Sequence, residues 1–297
     1  MPLAPVALFV YKRLSHTKRT IEALLQNAEA SQTQLVVYSD GPKTSLDSEV
    51  IEQLRQYIRS ISGFSSVQLI EREQNLGLSQ SIIQGVSQLT EQFGSVIVLE
   101  DDLVVSPYFL KYMNDALVMY ENNPKVISIH GYVYPIEGLP ETYFLKGADC
   151  WGWATWRRGW ALFESDGQML LNRLLASQKN REFDFNGQSA YTQMLRDQVD
   201  GKIDSWAIRW YASAFLQNRF TLYPGRSLVR NIGQDGSGTH SQQTTAYDSV
   251  LRYNPIDLAR QPVEQNYQAY ELFSKYFYTS RPKVLTKLRN RVRRLFA

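Results

Sequence analysis

Five short apolar runs alternate along the chain with stretches in which apolar residues recur at helical spacing, and this alternation constrains the fold more than any other feature. Val6–Tyr11, Leu35–Tyr38, Val67–Ile70, Val96–Leu99 and Val126–Ile129 read as buried strands. Between them, Ile21, Leu24, Leu25 and Ala28 share one face of 17–30, and Leu46, Val50, Ile51, Leu54, Ile58 and Ile61 share one face of 46–61. Further helices are expected over 78–92 and from Pro107 to Glu121. This order predicts an α/β fold: a mostly parallel, Rossmann-like sheet with helices on both faces. Ligands of such sheets bind beyond the carboxyl ends of the strands. Tyr11-Lys12-Arg13, Ser39-Asp40-Gly41 and Glu100-Asp101-Asp102 all follow strands, so they are expected to line one crevice.

The alternation stops near residue 131. Residues 132–262 are richer in Trp, Gly and polar residues, with helical stretches near 188–199 and 205–217, and read as a continuation of the same domain. Residues 263–297 form a C-terminal helical region ending in a basic tail. Over 281–297 there are seven Lys or Arg and no acid, so the net charge of +3 leaves the remainder at −4. Val284, Leu285, Leu288, Val292 and Leu295 on one side of that tail suit either an anionic membrane surface or packing on the body. No nucleic-acid recognition motif accompanies the charge.

The lone cysteine, Cys150, excludes an internal disulfide and any cysteine-built zinc site, and fits a reducing compartment. Met1–Pro5 lacks the pattern of a signal peptide, and no apolar run reaches the length of a membrane span. A cytoplasmic protein, peripheral at most on the inner face of a membrane, is the expectation.

Three adjacent carboxylates after a buried strand repel one another and call for a counter-charge. Oxygen donors with scattered histidines favour a hard ion, Mn²⁺ or Mg²⁺, able to bridge a diphosphate. A solvated acidic turn is the competing structural reading. Asp40, at a strand end, can accept from a base N–H or simply serve its Asp-Gly turn. Arg13 suits phosphates or a base, or a solvated helix start. Asp204 sits beside Ile203 and Trp206, where partial desolvation would make it a better base; capping the next helix is the alternative. His240 ends a glycine-rich loop that could close over a diphosphate or reach a metal. In Trp151-Gly152-Trp153, Gly152 leaves room for a flat ligand beside the indoles, with Trp206 next to Asp204; a core wedge is the alternative.

These segments resemble bacterial glycosyltransferases of the GT-A fold, of the family 2 type, and more distantly the N-acetylglucosaminyltransferase I family. The likeness lies in VIVLEDDLVVSPYF (Val96–Phe109), Tyr38–Gly41, Trp151–Trp153, Asp204–Trp206 and Thr239-His240, within residues 4–242. It implies that residues 1–131 bind a nucleotide-sugar and that 132–262 face the acceptor. It implies Asp102 as the Mn²⁺ ligand, Asp101 near the ribose, Glu100 near the transferred sugar, and Asp40 and Arg13 at the base. Asp204 would deprotonate the acceptor hydroxyl. Ser205 stands where that family has a second Asp, and Ser128–Tyr134 departs from its pattern.

The expected function is metal-dependent, inverting transfer of a hexosyl or N-acetylhexosaminyl group, from a UDP-sugar by expectation, to a saccharide or lipid-linked acceptor in surface polysaccharide synthesis. Two alternatives stand beside it. A sugar nucleotidyltransferase would want a glycine-rich loop after the first strand, where this chain has Tyr11-Lys12-Arg13-Leu14. A non-catalytic carbohydrate-binding protein would use the tryptophans and a structural cation.

Overall fold

Every residue of β1 (Val6–Val10) is buried, because helices cover both faces of the sheet it centres. The computed structural model describes residues 2–236 and 247–280. After β1 come α1 (Leu14–Leu25), β2 (Gln34–Ser39), α2 (Ser48–Arg59), β3 (Ser66–Glu71), α3 (Leu78–Phe93) and β4 (Ser95–Glu100). The four strands pair in parallel in the order β3-β2-β1-β4. In α2 one face carries Ile51, Leu54 and Ile58 into the core while the charged residues face water. β3, at the edge, has no fully buried residue.

Next come β5 (Leu103–Val105), α4 (Phe109–Met119), β6 (Val126–His130), β7 (Thr142–Lys146) and β8 (Trp153–Trp156). They are followed by α5 (Arg157–Trp160), α6 (Gly167–Ala176), α7 (Asn180–Phe183), α8 (Tyr191–Val199), α9 (Trp206–Leu216), β9 (Phe220–Pro224), β10 (Val229–Asn231) and α10 (Tyr267–Ser280). The eight-stranded sheet runs β3-β2-β1-β4-β8-β6-β9-β7. The strand-helix alternation expected to stop near residue 131 does give way there, but the sheet continues: β7, β8 and β9 extend it. Their short, aromatic sequences (TYFLK, WATW, FTLYP) are buried throughout apart from Lys146, so no polar-apolar period marks them.

β8 is antiparallel to both neighbours, pairing Trp153 with Val98 of β4 and with His130 of β6. Its first residue therefore lies at the edge where β4 and β6 end. Along that edge stand, in order, the segments after β2, β1 and β4 and before β8. A second, two-stranded sheet joins β5 to β10, with Leu103 opposite Asn231. α10 buries Ala269, Tyr270 and Phe273 with Tyr143 of β7 in one cluster, so the described part of the C-terminal region packs on the body. The basic residues 281–297 lie outside the described residues.

Candidate functional site

The apolar run of β4 leads directly into Glu100, Asp101 and Asp102 at its carboxyl end. The turn is held from both sides: Thr20 Oγ1 donates to the Asp101 carbonyl at 2.9 Å, and the Ile232 amide donates to the Asp102 carbonyl at 2.8 Å. Arg13, just past β1, donates from one guanidinium nitrogen to Asp101 Oδ1 and to Asp102 Oδ2, the latter at 2.7 Å. Arg13 and the acid triplet, expected to line one crevice, are thus brought into contact.

Three acids against one guanidinium leave surplus negative charge, and the protonation behaviour shows the strain. Burial, reinforced by Asp102 and Asp101, pushes the Glu100 carboxyl up to about 8. Burial raises Asp101 to about 6, with Arg13 pulling the other way. Burial alone would lower the Arg13 pKa, but the charges of Asp101 and Asp102 outweigh it and raise it.

Gly233, missed in the sequence, closes the rim. A Cβ there would collide with the Asp102 carboxylate and lie 3.1 Å from Arg13 Nη1, so only glycine lets the chain after β10 pass this close. Its only sequence signal was a place in a glycine-rich loop. His16 meets the same loop, Nε2 lying 3.1 Å from Asp235 Oδ2. His240, expected to reach the diphosphate or the metal, lies outside the described residues.

Asp40 is buried at the end of β2, and three backbone amides engage its carboxylate. Oδ1 accepts from Gly41 at 3.0 Å and from Leu76 at 2.9 Å, and Oδ2 accepts from Gly77 at 2.9 Å. Its visible duty is to hold the loop leading into α3, beyond the local turn expected of Asp-Gly. Gly41 permits this approach, since a Cβ would sit 2.5–2.7 Å from the Gln74 backbone.

Asp204 corrects two expectations. Its side chain is 67% exposed, so the desolvation expected from Ile203 and Trp206 is absent. The cap of α9 is instead Ser205, whose hydroxyl accepts from the Ile208 amide. Arg209, also missed in the sequence, lies beneath Asp204. This buried side chain donates to Ser79 Oγ at 2.8 Å and to the Ser165 and Ser205 carbonyls, with Asp204 Oδ1 at 3.8 Å. It ties the Asp204 segment to the start of α3, two residues beyond the Gly77 amide held by Asp40.

The tryptophan cluster divides. Trp153 is fully buried and stacks on Trp206 at 5.5 Å, with Trp206 itself 3% exposed. Neither offers a face to a sugar; both are core indoles between the sheet and α9. The space beside Gly152 is likewise taken, because a Cβ there would press on Val229. Of these three tryptophans Trp151 alone is not buried, edge-on to Tyr132 at 4.8 Å and Tyr247 at 5.6 Å.

The donor set fits a hard divalent cation. Among the described residues no three His, Cys, Asp or Glu side chains converge as a complete metal cage. Such ions are commonly held by one or two carboxylates with phosphate and water oxygens completing the shell. The Asp102 carboxylate packs against the Gly233 backbone and the Arg13 guanidinium.

Among curated proteins, none matches the chain. Among the solved structures similar over part of it are two that are each 12% identical. A mannosyltransferase, PcManGT from Pyrobaculum calidifontis, in complex with GDP-Man and Mn²⁺, aligns over 44% of this chain and 36% of its own, with a TM-score of 0.31. A UDP-glucose pyrophosphorylase complexed with UDP-glucose aligns over 54% and 79%, with a TM-score of 0.32. The chain thus spans about a third of the mannosyltransferase it matches. Residues 6–162, more than half of the chain, match the family described as Glycosyl transferase family 2. That segment runs from β1 through the acid triplet to α5, and by it the chain belongs to glycosyl transferase family 2.

Proposed function

We propose that this protein transfers a sugar from a nucleotide-sugar to a hydroxyl of a saccharide or lipid-linked acceptor, with inversion at the anomeric carbon. The observation that carries this reading is the acid triplet at the end of β4, bridged by Arg13 from the end of β1, in a chain of this family. The donor lies along the edge formed by Asp40, Arg13 and the triplet, with a UDP-sugar as the first donor to test. Asp102 would hold Mn²⁺ or Mg²⁺, which when bound neutralises charge developing on the departing diphosphate. Arg13 orients the carboxylates and adds positive charge beside the phosphates. Glu100 faces the transferred sugar, and Asp101 the ribose.

Asp204 takes the proton of the acceptor hydroxyl as that oxygen attacks the face opposite the leaving nucleotide, and Arg209 fixes the segment that carries it. A place in surface polysaccharide synthesis, with the basic tail at the inner membrane face, fits a lipid-linked acceptor. Among the described residues no helix is long and apolar enough to cross a membrane.

The test begins with thermal shift across UDP- and GDP-sugars with and without Mn²⁺, since stabilisation follows affinity. Asp102→Ala should abolish the Mn²⁺-dependent part of the shift. With the preferred donor, Asp204→Asn should slow transfer by about two orders of magnitude or more while donor binding is kept. Retention of anomeric configuration, or pyrophosphate release from a nucleoside triphosphate, would overturn the reading.

A further inference from the structure

The chain holds a single Asn-Gly pair, Asn186-Gly187, and the fold places it in a strained turn between α7 and α8. Three consecutive residues there adopt the left-handed backbone: Phe185 at φ 48°, Asn186 at φ 58° and Gly187 at φ 77°. Outside glycine that conformation is disfavoured, and two such residues in a row persist only where their neighbours hold them.

α10 holds this turn by its backbone and by its side chains. The Asn186 amide donates to the Tyr270 hydroxyl at 3.0 Å, and that hydroxyl donates in turn to the Glu182 carbonyl at 3.0 Å. Ser274 Oγ donates to the Phe185 carbonyl at 3.0 Å, while the Phe185 ring stacks on Tyr270 at 5.1 Å and on Phe273 at 5.8 Å. The Asn186 side chain is fixed as well, Nδ2 donating to Glu271 Oε1 at 3.0 Å. From α7, the Arg181 carbonyl accepts from the Gly187 amide at 3.1 Å. Asn186 is half-buried, but Gly187 is exposed, with open space where a Cβ would stand.

An asparagine followed by glycine readily loses its side-chain amide, because no side chain shields the nitrogen that follows it. The Gly187 nitrogen attacks Asn186 Cγ, Nδ2 leaves as ammonia with the proton given up by that nitrogen, and water opens the resulting succinimide to aspartate or isoaspartate. Both reacting groups are engaged in the folded chain, the Gly187 N–H by the Arg181 carbonyl and Nδ2 by Glu271. The ring therefore closes only when the turn lets go of these partners. The product does not restore them: a carboxylate at position 186 faces Glu271 without a proton to donate, and the two like charges repel. We propose that Asn186 is a deamidation site held in check by α10, and that its conversion to an acid parts the turn from Glu271 and loosens α10 on the body. The effect reaches the sheet, since Phe273 and Phe277 of α10 pack on Tyr134, just beyond β6, at 5.6 Å and 5.1 Å. None of this depends on the transferase reading.

The experiment is ageing of the full chain at mildly alkaline pH, folded and in urea, with peptide mass spectrometry locating each gain of one mass unit. Asn186 should convert in urea faster than any other asparagine, and more slowly in the folded wild type. Glu271→Ala, at an exposed side chain, and Tyr270→Phe, which drops one hydroxyl, should each speed conversion of the folded protein by about fivefold, the worth of one hydrogen bond. Glu271→Ala keeps the test open if Tyr270→Phe unfolds. Asn186→Asp, standing in for the product, should speed hydrogen exchange across 181–192 and along α10, and adding Glu271→Gln should recover most of that change. The proposal is overturned if Asn186 stays unconverted in urea, if the folded wild type and Glu271→Ala convert it at equal rates, or if Asn186→Asp leaves exchange along α10 unchanged.

Discussion

The Arg13 guanidinium donates to Asp102 Oδ2 at 2.7 Å, and from the same nitrogen to Asp101, so one cation serves two adjacent, largely buried carboxylates. Breaking such a pair by removing one partner is far more costly than the pair is stabilising, because the remaining charge stays desolvated. Arg13→Ala should therefore lose about 3 kcal/mol of stability in EDTA, measured by urea unfolding. Mn²⁺ should recover more of that loss in the variant than it adds to the wild type, since the ion replaces the missing positive charge. Equal Mn²⁺ effects in the two proteins would disconnect the ion from these carboxylates.

Asp40 holds the Leu76 and Gly77 amides, both of which lose their partner in Asp40→Ala. Each unsatisfied buried donor costs roughly 1–3 kcal/mol, so a loss of about 3 kcal/mol is expected. The effect should extend to Asp204, because the released loop leads to Ser79, which accepts from Arg209. Hydrogen exchange should show faster exchange at the start of α3 and at the Asp204 segment together. Faster exchange at α3 alone would break the link.

Trp153 and Trp151 are two residues apart and should respond unequally. Trp153→Ala empties a fully buried site and should cost about 3–5 kcal/mol. Trp151→Ala removes a partly exposed ring and should cost far less stability. Calorimetry separates the two, and equal losses would show that Trp151 is as much a core ring as Trp153.

His130 is fully buried, with both ring nitrogens unpartnered among the described residues, and burial lowers its pKa to about 3. The unfolded chain takes up the proton near pH 6.5, and the folded chain only near 3. The unfolded state is thus favoured as pH falls through that window, by about 1.4 kcal/mol per unit. Asp149 and Glu100, raised by burial, act in the opposite sense, so the reading is the difference between proteins. His130→Leu should lose less stability than the wild type between about pH 6.5 and about pH 4. Parallel curves would mean that His130 has a partner in solution.

Compact apolar runs marked β1 to β4 and β6, and the alternation of those runs with helically spaced apolar residues placed α1 to α4 between or beside them. The meeting of Arg13 with Glu100-Asp101-Asp102 was legible too, since strand ends of a parallel sheet share one edge. The tertiary structure decided the rest. β7 to β9 are short aromatic runs with no period, and only their pairing shows that they complete the sheet. Trp153 and Trp151 carry the same side chain in the same motif, but Trp153 lies inside β8 and is buried by the sheet's cover, while Trp151 precedes the strand and stays partly open. Desolvation of an acid depends on neighbours distant in sequence. Asp204, flanked by apolar residues, is exposed, while burial raises the Asp149 carboxyl to about 6 in a segment that no apolar period marked. Local sequence fixes which side chains are available, and packing fixes which of them lose their water.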